Sequence, residues 1–226
     1  MDLIREQFPI VIHSLNIGFL QTLKLFFVTL IGALPLGLVI SFGTTSRFKP
    51  VRAVINTIVW LFRGTPLMIQ LLIIYYFPGL VLHNPVWGGG ETGRFTAAAV
   101  SFILNYACYF AVIYRGGIQS IPRGQYEAAQ VLGYTKAQTF FKIILPQMVK
   151  RVIPAVTNEV ITLVKDTSLA SVIGTVEMFT RAKQIVASPN TPGMLALVAA
   201  GVFYYVFNYV VAFAMEKWEQ ALRYYR

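Results

Sequence analysis

Long stretches without charge alternate along this chain with short polar segments. No charged residue lies between Lys24 and Arg47, from Gly64 to Gly90, or within 95–114 and 184–215. A helix needs about 20 apolar residues to cross the bilayer core, and these windows are long enough. A shorter window, 149–164, carries Arg151 and Glu159. The pattern predicts an all-α protein with five membrane-spanning helices, at approximately 18–43, 53–77, 95–115, 149–165 and 193–216.

The composition agrees with a membrane protein. Hydrophobic residues make up 56% of the chain and charged residues only 12%, about half of the share usual in soluble domains. This excludes a disordered chain, and a single cysteine excludes a disulfide scaffold. The net charge of +10 does not indicate nucleic-acid binding, because the basic residues are scattered between apolar runs rather than gathered on a polar face.

The distribution of lysine and arginine predicts the orientation of the spans. One set of loops holds twelve basic residues: Arg47, Lys49, Arg52, Arg115, Arg123, Lys136, Lys142, Lys150, Arg151, Lys217, Arg223 and Arg226. The opposite set holds five: Arg5, Arg94, Lys165, Arg181 and Lys183. Because basic loops stay in the cytoplasm, the tail 217–226 is predicted to be cytoplasmic and the segment 1–17 extracytoplasmic. The excess of bases also suits anionic lipid headgroups in the bilayer.

The cytoplasmic loop 116–148 is too polar to span and is predicted to hold two short helices. Pro122 and Gly124 open the first and Gly133 terminates it. The second, 136–145, is expected to stop before Pro146. Such a basic, aromatic pair would also suit helices that lie on the bilayer surface.

This loop resembles the EAA loop of ABC importer permease subunits. Glu127, Ala128, Ala129 and Gly133, followed by Ile143 and Leu145-Pro146, match its fixed positions. Further likeness to the polar amino-acid uptake branch extends over about 18–216, the predicted permease domain. The matching segments are Thr22–Leu25, Phe62–Leu67 with Gln70-Leu71, and Asn158 with Lys165–Leu169.

The resemblance implies a compact five-helix permease of ABC type I importers in the bacterial cytoplasmic (inner) membrane. Glu127, Ala128, Ala129 and Gly133 would form the coupling helix that docks on a cytoplasmic ATPase. Two ATPase subunits holding ATP and Mg, a second permease (the same chain or a paralogue) and an extracytoplasmic amino-acid-binding protein are the expected partners. The chain has no G-x-x-x-x-G-K-[ST] phosphate loop, so it is not predicted to be an enzyme or to bind a cofactor itself.

Glu159 is the main candidate for substrate binding. A carboxylate inside a membrane helix is costly, so it is expected to have a partner or a function. Helical spacing places Thr162 and Asp166 on its stripe and Asn158 beside it. These groups suit a cationic ligand and predict arginine, lysine or histidine as substrate. An ion pair with Lys24 or Arg63 is the alternative, and relatives that resemble glutamine carriers can hold an amide at the position of Glu159.

The second span offers another half of a site. Pro66 follows Gly64 and Thr65 and is expected to break the helix. The exposed amides of a broken helix can hold an amino acid's carboxylate, with Thr65, Pro66, Leu67, Met68 and Gln70 lining the cavity. A simple proline kink is the alternative.

Two other functional classes account for fewer of these features. A secondary transporter driven by an ion gradient could also use Glu159 and a broken helix, but it leaves the EAA loop unexplained. No cluster of histidines and acids predicts a metal site, and no nucleophile with its base predicts a catalytic one.

Overall fold

The computed structural model describes residues 2–189, 191 and 193–222, with side chains from residue 7 onward. Within that part of the chain the regular structure is entirely helical, which confirms the all-α class. The side chain of Arg5 and the tail residues 223–226, including Arg223 and Arg226, lie outside the described residues. The helices are α1 (Asp2–Thr44), α2 (Lys49–Gly64), α3 (Leu67–Leu80), α4 (Gly90–Gln119), α5 (Arg123–Val131), α6 (Lys136–Gln138), α7 (Leu145–Asp166), α8 (Met178–Ala187) and α9 (Gly193–Leu222). A π-helix (Thr139–Ile144) precedes α7 and a 3₁₀-helix (Thr167–Ile173) follows it.

Three helices of the described chain are long and apolar enough to cross a membrane, namely α1 from Gln7 onward, α4 and α9. The bent pair α2–α3 would be a fourth if it counts as one span. With 22 residues, α7 is about 33 Å long, which suffices for a bilayer core. It carries five charged residues, so its place as the fifth span stays a prediction. These are Lys150, Arg151, Glu159, Lys165 and Asp166.

The first and last helices extend beyond the predicted spans. Helix α1 begins at Asp2, so the described part of segment 1–17 is continuous with the first span. Helix α9 continues to Leu222, into the segment predicted as a tail. The sequence 216–222 holds strong helix formers and neither glycine nor proline, so nothing in it stops the helix at the predicted end of the span.

The core is built around α4, which packs most closely against α1. Phe102, Tyr106 and Phe110 of α4 are at most 2% exposed. A β-carbon on Gly37 of α1 would lie 2.8 Å from the β-carbon of Phe110, and one on Gly32 would lie 2.7 Å from the Ile103 side chain. The two backbones therefore approach as closely as glycine allows, as is typical of small residues where membrane helices pack together.

The outer surface of α9 is apolar, the reverse of the surface of a soluble protein. Its exposed side chains include Val198, Val202, Tyr205, Val206, Tyr209, Val210 and Phe213. A continuous apolar surface of this kind is typical of contact with lipid or with another subunit.

The loop between α4 and α7 differs from its prediction at one end. Helix α5 ends before Gly133 as expected, but the second helix does not stop before Pro146. Instead α6 passes through the π-helix directly into α7, with Pro146 in its first turn. In the π turn the amide of Leu145 donates to the carbonyl of Phe140, five residues back. The prediction of a stop was wrong because a proline in the first turn of α7 leaves the helix intact.

Candidate functional site

Helices α2 and α3 meet at a sharp bend at Gly64, Thr65 and Pro66. The two helix axes differ by 109°. Thr65 has an extended backbone (φ −119°, ψ 146°), the conformation that a following proline favours, and Pro66 caps α3 with φ −63°. The predicted break is confirmed and is much larger than a simple proline kink. The first amides of α3 have no partner within the helix, as at any helix start, and lie at this bend.

The side chain of Gln70 fastens the bend. Its Nε2 lies 2.8 Å from the Phe62 carbonyl oxygen and 2.8 Å from Thr65 Oγ1. Its Oε1 accepts a hydrogen bond from Asn105 Nδ2 of α4 at 2.9 Å. Gln70 is only 7% exposed. Its amide therefore positions the broken helix against α4, and contact of Gln70 with substrate stays a prediction.

Replacing Gln70 by leucine is expected to destabilise the protein. The substitution removes the hydrogen bonds of 2.8 and 2.9 Å that Gln70 makes with the Phe62 carbonyl and with Asn105, which keep only their 3.4 Å bond to each other, at a cost of about 2 to 3 kcal/mol. For a chain of this size the thermal midpoint should fall by roughly 5 to 10 °C, measured on the purified protein. Gln119→Leu is the control, because Gln119 is exposed. Equal midpoints for Gln70→Leu and the parent protein would show that the bend does not depend on this amide.

The other predicted lining residues of the second span differ in exposure. Leu67 is 9% exposed and packs into the core, whereas Met68 is 45% exposed. Pro66 is exposed and Thr65 is partly buried, with its hydroxyl donating to the Leu61 carbonyl at 2.9 Å. In this conformation Met68 and Pro66 are thus the accessible members of the set.

Glu159 lies half-buried on α7, and no side chain of the described residues hydrogen-bonds its carboxylate. Asn158 and Thr162 beside it are exposed, and the Thr162 hydroxyl donates to the Asn158 carbonyl at 2.9 Å. Asp166, at the end of the same helix, accepts a hydrogen bond from the Tyr106 hydroxyl at 2.7 Å. The two carboxylates of the predicted stripe therefore differ: Asp166 is fixed by α4, and Glu159 is available.

The two cations proposed as alternative partners of Glu159 are held by aromatic rings. Lys24 Nζ lies 4.5 Å from the centre of the Phe95 ring, and the Arg63 guanidinium lies 5.1 Å from that of Tyr109. Neither forms an ion pair with Glu159 within the described chain, although Arg63 is close enough to attract it. The end of α2 and the end of α7 both contact α4, Arg63 through the Tyr109 ring and Asp166 through the Tyr106 hydroxyl.

The residues of the predicted coupling helix also separate by exposure. Glu127 and Ala128 are exposed, but Ala129 is 1% exposed and packs inside the chain. Gly133 has φ +74°, a left-handed conformation that few other residues adopt, and so makes the predicted bend. The Tyr134 amide closes the end of α5 on the Ala129 carbonyl at 3.0 Å. The small side chain of Ala129 therefore serves packing within this chain, and of the two alanines only Ala128 is open to a partner.

Two exposed apolar residues of this loop were missed in the sequence. Val131 is 88% exposed and Leu132 is 73% exposed, beside Glu127 and Ala128. Large apolar side chains on an otherwise polar loop indicate a protein contact. The feature of the sequence that could have identified them is their position directly before Gly133, at the end of the predicted helix.

A buried carboxylate was missed as well. Glu177 is fully buried and caps α8, accepting from the amides of Phe179 and Thr180 at 2.7 and 2.6 Å. The Tyr204 hydroxyl of α9 donates to it at 3.0 Å. Thr22 of α1 accepts from the first amide of α8, Met178, at 3.2 Å. This polar cluster holds α8 between α1 and α9, so the role of Glu177 is structural.

The described residues contain no group of three or more histidine, cysteine or acidic side chains that could hold a metal ion. Their functional features are instead a broken helix, an available carboxylate inside an apolar helix bundle, and an exposed loop with apolar contacts. These features agree with the permease subunit of ABC importers that the coupling loop resembles.

Comparison with known proteins identifies the family. Residues 33–224 match the model of the binding-protein-dependent transport system inner membrane component, and the chain belongs to this family. It is 37% identical over 218 residues to the arginine transport system permease protein ArtQ of Bacillus subtilis, covering 96% of this chain and 94% of that protein. It is 33% identical over 196 residues to the putative glutamine transport system permease protein GlnP of Rickettsia bellii, covering 87% of each.

A solved structure confirms the fold. The crystal structure of an amino acid ABC transporter with histidines is 30% identical and superposes with a TM-score of 0.80, covering 92% of this chain and 94% of that one. The resemblance to ABC importer permeases of the amino-acid uptake branch is therefore confirmed, as is the type I permease fold.

Proposed function

We propose that this chain forms the translocation path of an ATP-driven importer for basic amino acids: arginine, lysine or histidine. The available carboxylate of Glu159 is the observation that carries this proposal. A half-buried carboxylate has lost part of its hydration, and a cationic ligand would offset that cost. The relative named for arginine and the related transporter with histidines support a basic substrate.

The bend between α2 and α3 offers groups that suit the α-carboxylate of an amino acid. The start of α3 presents backbone amides at the bend, with the positive end of the helix dipole. Arg63, on the neighbouring end of α2, adds a cation near Glu159. We infer that the α-carboxylate binds at the bend, beside Thr65, Pro66 and Met68, while the side chain reaches Glu159, Asn158 and Thr162. Leu67, Gln70 and Asp166 would support this cavity.

Transport in this proposal is driven by a separate ATPase. Glu127, Ala128, Val131 and Leu132 form the exposed surface of the coupling loop and would dock on it. Two ATPase subunits with ATP and Mg, a second permease and an extracytoplasmic binding protein would complete the importer in the bacterial inner membrane. The amino terminus would lie outside and the carboxyl terminus in the cytoplasm.

A neutral polar substrate is the second candidate, because the relative from Rickettsia bellii is named for glutamine. The two candidates differ in charge. A cationic substrate compensates Glu159, whereas glutamine would leave it uncompensated unless Arg63 moved to pair with it. The geometry therefore favours the basic substrate.

Reconstitution tests both the energy source and the substrate class. Proteoliposomes that contain the complete transporter with its binding protein should accumulate labelled arginine only when ATP is inside the vesicles. Excess lysine or histidine should compete, and glutamine should not. Vesicles with the permease alone should take up nothing. Uptake by the permease alone under an ion gradient would contradict the ABC mechanism, and competition by glutamine alone would assign a neutral substrate.

A further inference from the structure

A pocket of about 700 Å³ lies between the α1–α2 turn and the coupling loop. It is lined by Arg47, Tyr126, Gln130, Tyr134, Thr135, Lys136, Thr139 and Phe140. None of the residues proposed for the translocation path lines this pocket. The lining includes both basic and aromatic side chains, which together suit a ligand with an anionic part and an apolar part.

The charges of the pocket are those of an anion site. Arg47 and Lys136 are both exposed and face the same space, and no acidic side chain lines it. Neither cation has an ion-pair partner within the described chain. A third cation, Lys142, lies with its Nζ 6.0 Å from the centre of the Tyr134 ring. The phenols of Tyr126 and Tyr134 and the amide of Gln130 add neutral donors, so a phosphate group would be matched in charge and hydrogen bonding.

The surroundings of the pocket are apolar on one side. Phe140 lines it and packs edge-on against Phe42 of α1, with ring centres 5.1 Å apart. Phe48 and Phe141 nearby in the sequence are 64% and 63% exposed. Helix α1 up to Thr44 is apolar enough to lie in a membrane, so the pocket is at the end of a membrane-spanning segment. A ligand there would have its charged part beside Arg47 and Lys136 and its apolar part towards Phe140 and Phe42.

We propose that this pocket binds the phosphodiester headgroup of an anionic phospholipid of the cytoplasmic leaflet. The choice of a lipid over a soluble phosphate rests on the exposed phenylalanines and on the position at a span's end, where basic pockets hold acidic headgroups. The proposal rests on the proposed function in one respect, the placement of this loop on the cytoplasmic side. Lipid bound there ties α6 to α1, so coupling by the loop depends on the anionic lipid.

Lipid binding to the complete purified transporter in detergent tests the site. The probe is a fluorescent short-chain phosphatidylglycerol, with the corresponding phosphatidylcholine as the neutral comparison. A basic side chain near an anionic lipid contributes about fivefold in affinity, so Arg47→Ala with Lys136→Ala should weaken phosphatidylglycerol binding by roughly 25-fold. The control is Arg52→Ala with Lys217→Ala, which removes the same charge from exposed positions outside the pocket. This control should bind like the parent protein.

Three results would overturn the lipid site. The first is equal phosphatidylglycerol binding by both double variants and the parent. The second is full displacement of the lipid by glycerol 3-phosphate at equal concentration, which would make the site one for soluble phosphates. The third is loss of the ATPase from the Arg47/Lys136 variant during purification, which would assign the pocket to the ATPase contact. Because binding is measured without transport, these results are independent of the substrate proposed above.

Discussion

Glu159→Gln is expected to weaken ATP-driven uptake of arginine strongly while the transporter remains folded and assembled. The amide keeps the size of the side chain but removes the charge that would pair with a guanidinium in a half-buried site. Loss of one partner from such a pair costs about 3 kcal/mol, so KM for arginine should rise roughly 100-fold. Uptake of labelled arginine and stimulation of ATPase activity by arginine both measure this effect.

The control for this variant is Glu216→Gln, because Glu216 is an exposed carboxylate of α9 far from the bend in sequence. It should transport like the parent protein. Unchanged stimulation of Glu159→Gln by arginine would disprove the role of Glu159 in recognition. A gain of glutamine uptake by the same variant would strengthen that role, since an amide at this position would then accept the neutral substrate.

Val131→Asp with Leu132→Asp is expected to separate the permease from its ATPase. Both side chains are exposed in this chain, so the change should leave its own thermal stability within about 0.5 kcal/mol. In the docked complex the same substitution removes two apolar contacts and buries charge, which costs about 3 to 6 kcal/mol and lowers affinity roughly 100-fold or more. Co-purification of the ATPase and ATP-driven uptake should both be lost.

The matched control is Val131→Met with Leu132→Met, which keeps the apolar area of the loop. This variant should retain the ATPase and most of the transport activity. If the aspartate variant still assembled with the ATPase, the exposed pair would lie outside the contact, and Glu127 and Ala128 alone would have to provide it.

The sequence predicted those features that depend on local chemistry. Pro66 cannot continue the helical hydrogen-bonding ladder, and it restricts Thr65 to an extended backbone. The break in the second span could therefore be predicted. Gly133 marked the bend of the coupling loop for an equally local reason, its left-handed backbone. The size of the bend between α2 and α3 could not be predicted, because it depends on the hydrogen bond between Gln70 and Asn105, which are 35 residues apart in the sequence.

Features that depend on which way a side chain points could not be predicted. Ala128 and Ala129 are neighbouring alanines of α5, yet Ala128 is exposed and Ala129 is buried. Glu177 gave no usable signal, because glutamate is not among the preferred capping residues. Its burial follows from the packing of α8 between α1 and α9, which only the folded chain brings about.

The uninterrupted helix from α6 to α7 has a mechanical consequence. From Thr139 to Glu159 the chain is helical throughout, and a helix of this length extends roughly 30 Å. Hydrogen bonds between successive turns make the helix stiff along its axis, except at Pro154, which has no amide hydrogen to donate. In the proposed importer, a shift of the coupling loop would move the carboxylate of Glu159 with it, as the far end of one lever. The π turn at its base, with its wider hydrogen-bond spacing, and Pro154 within α7 are the two places where that lever can bend.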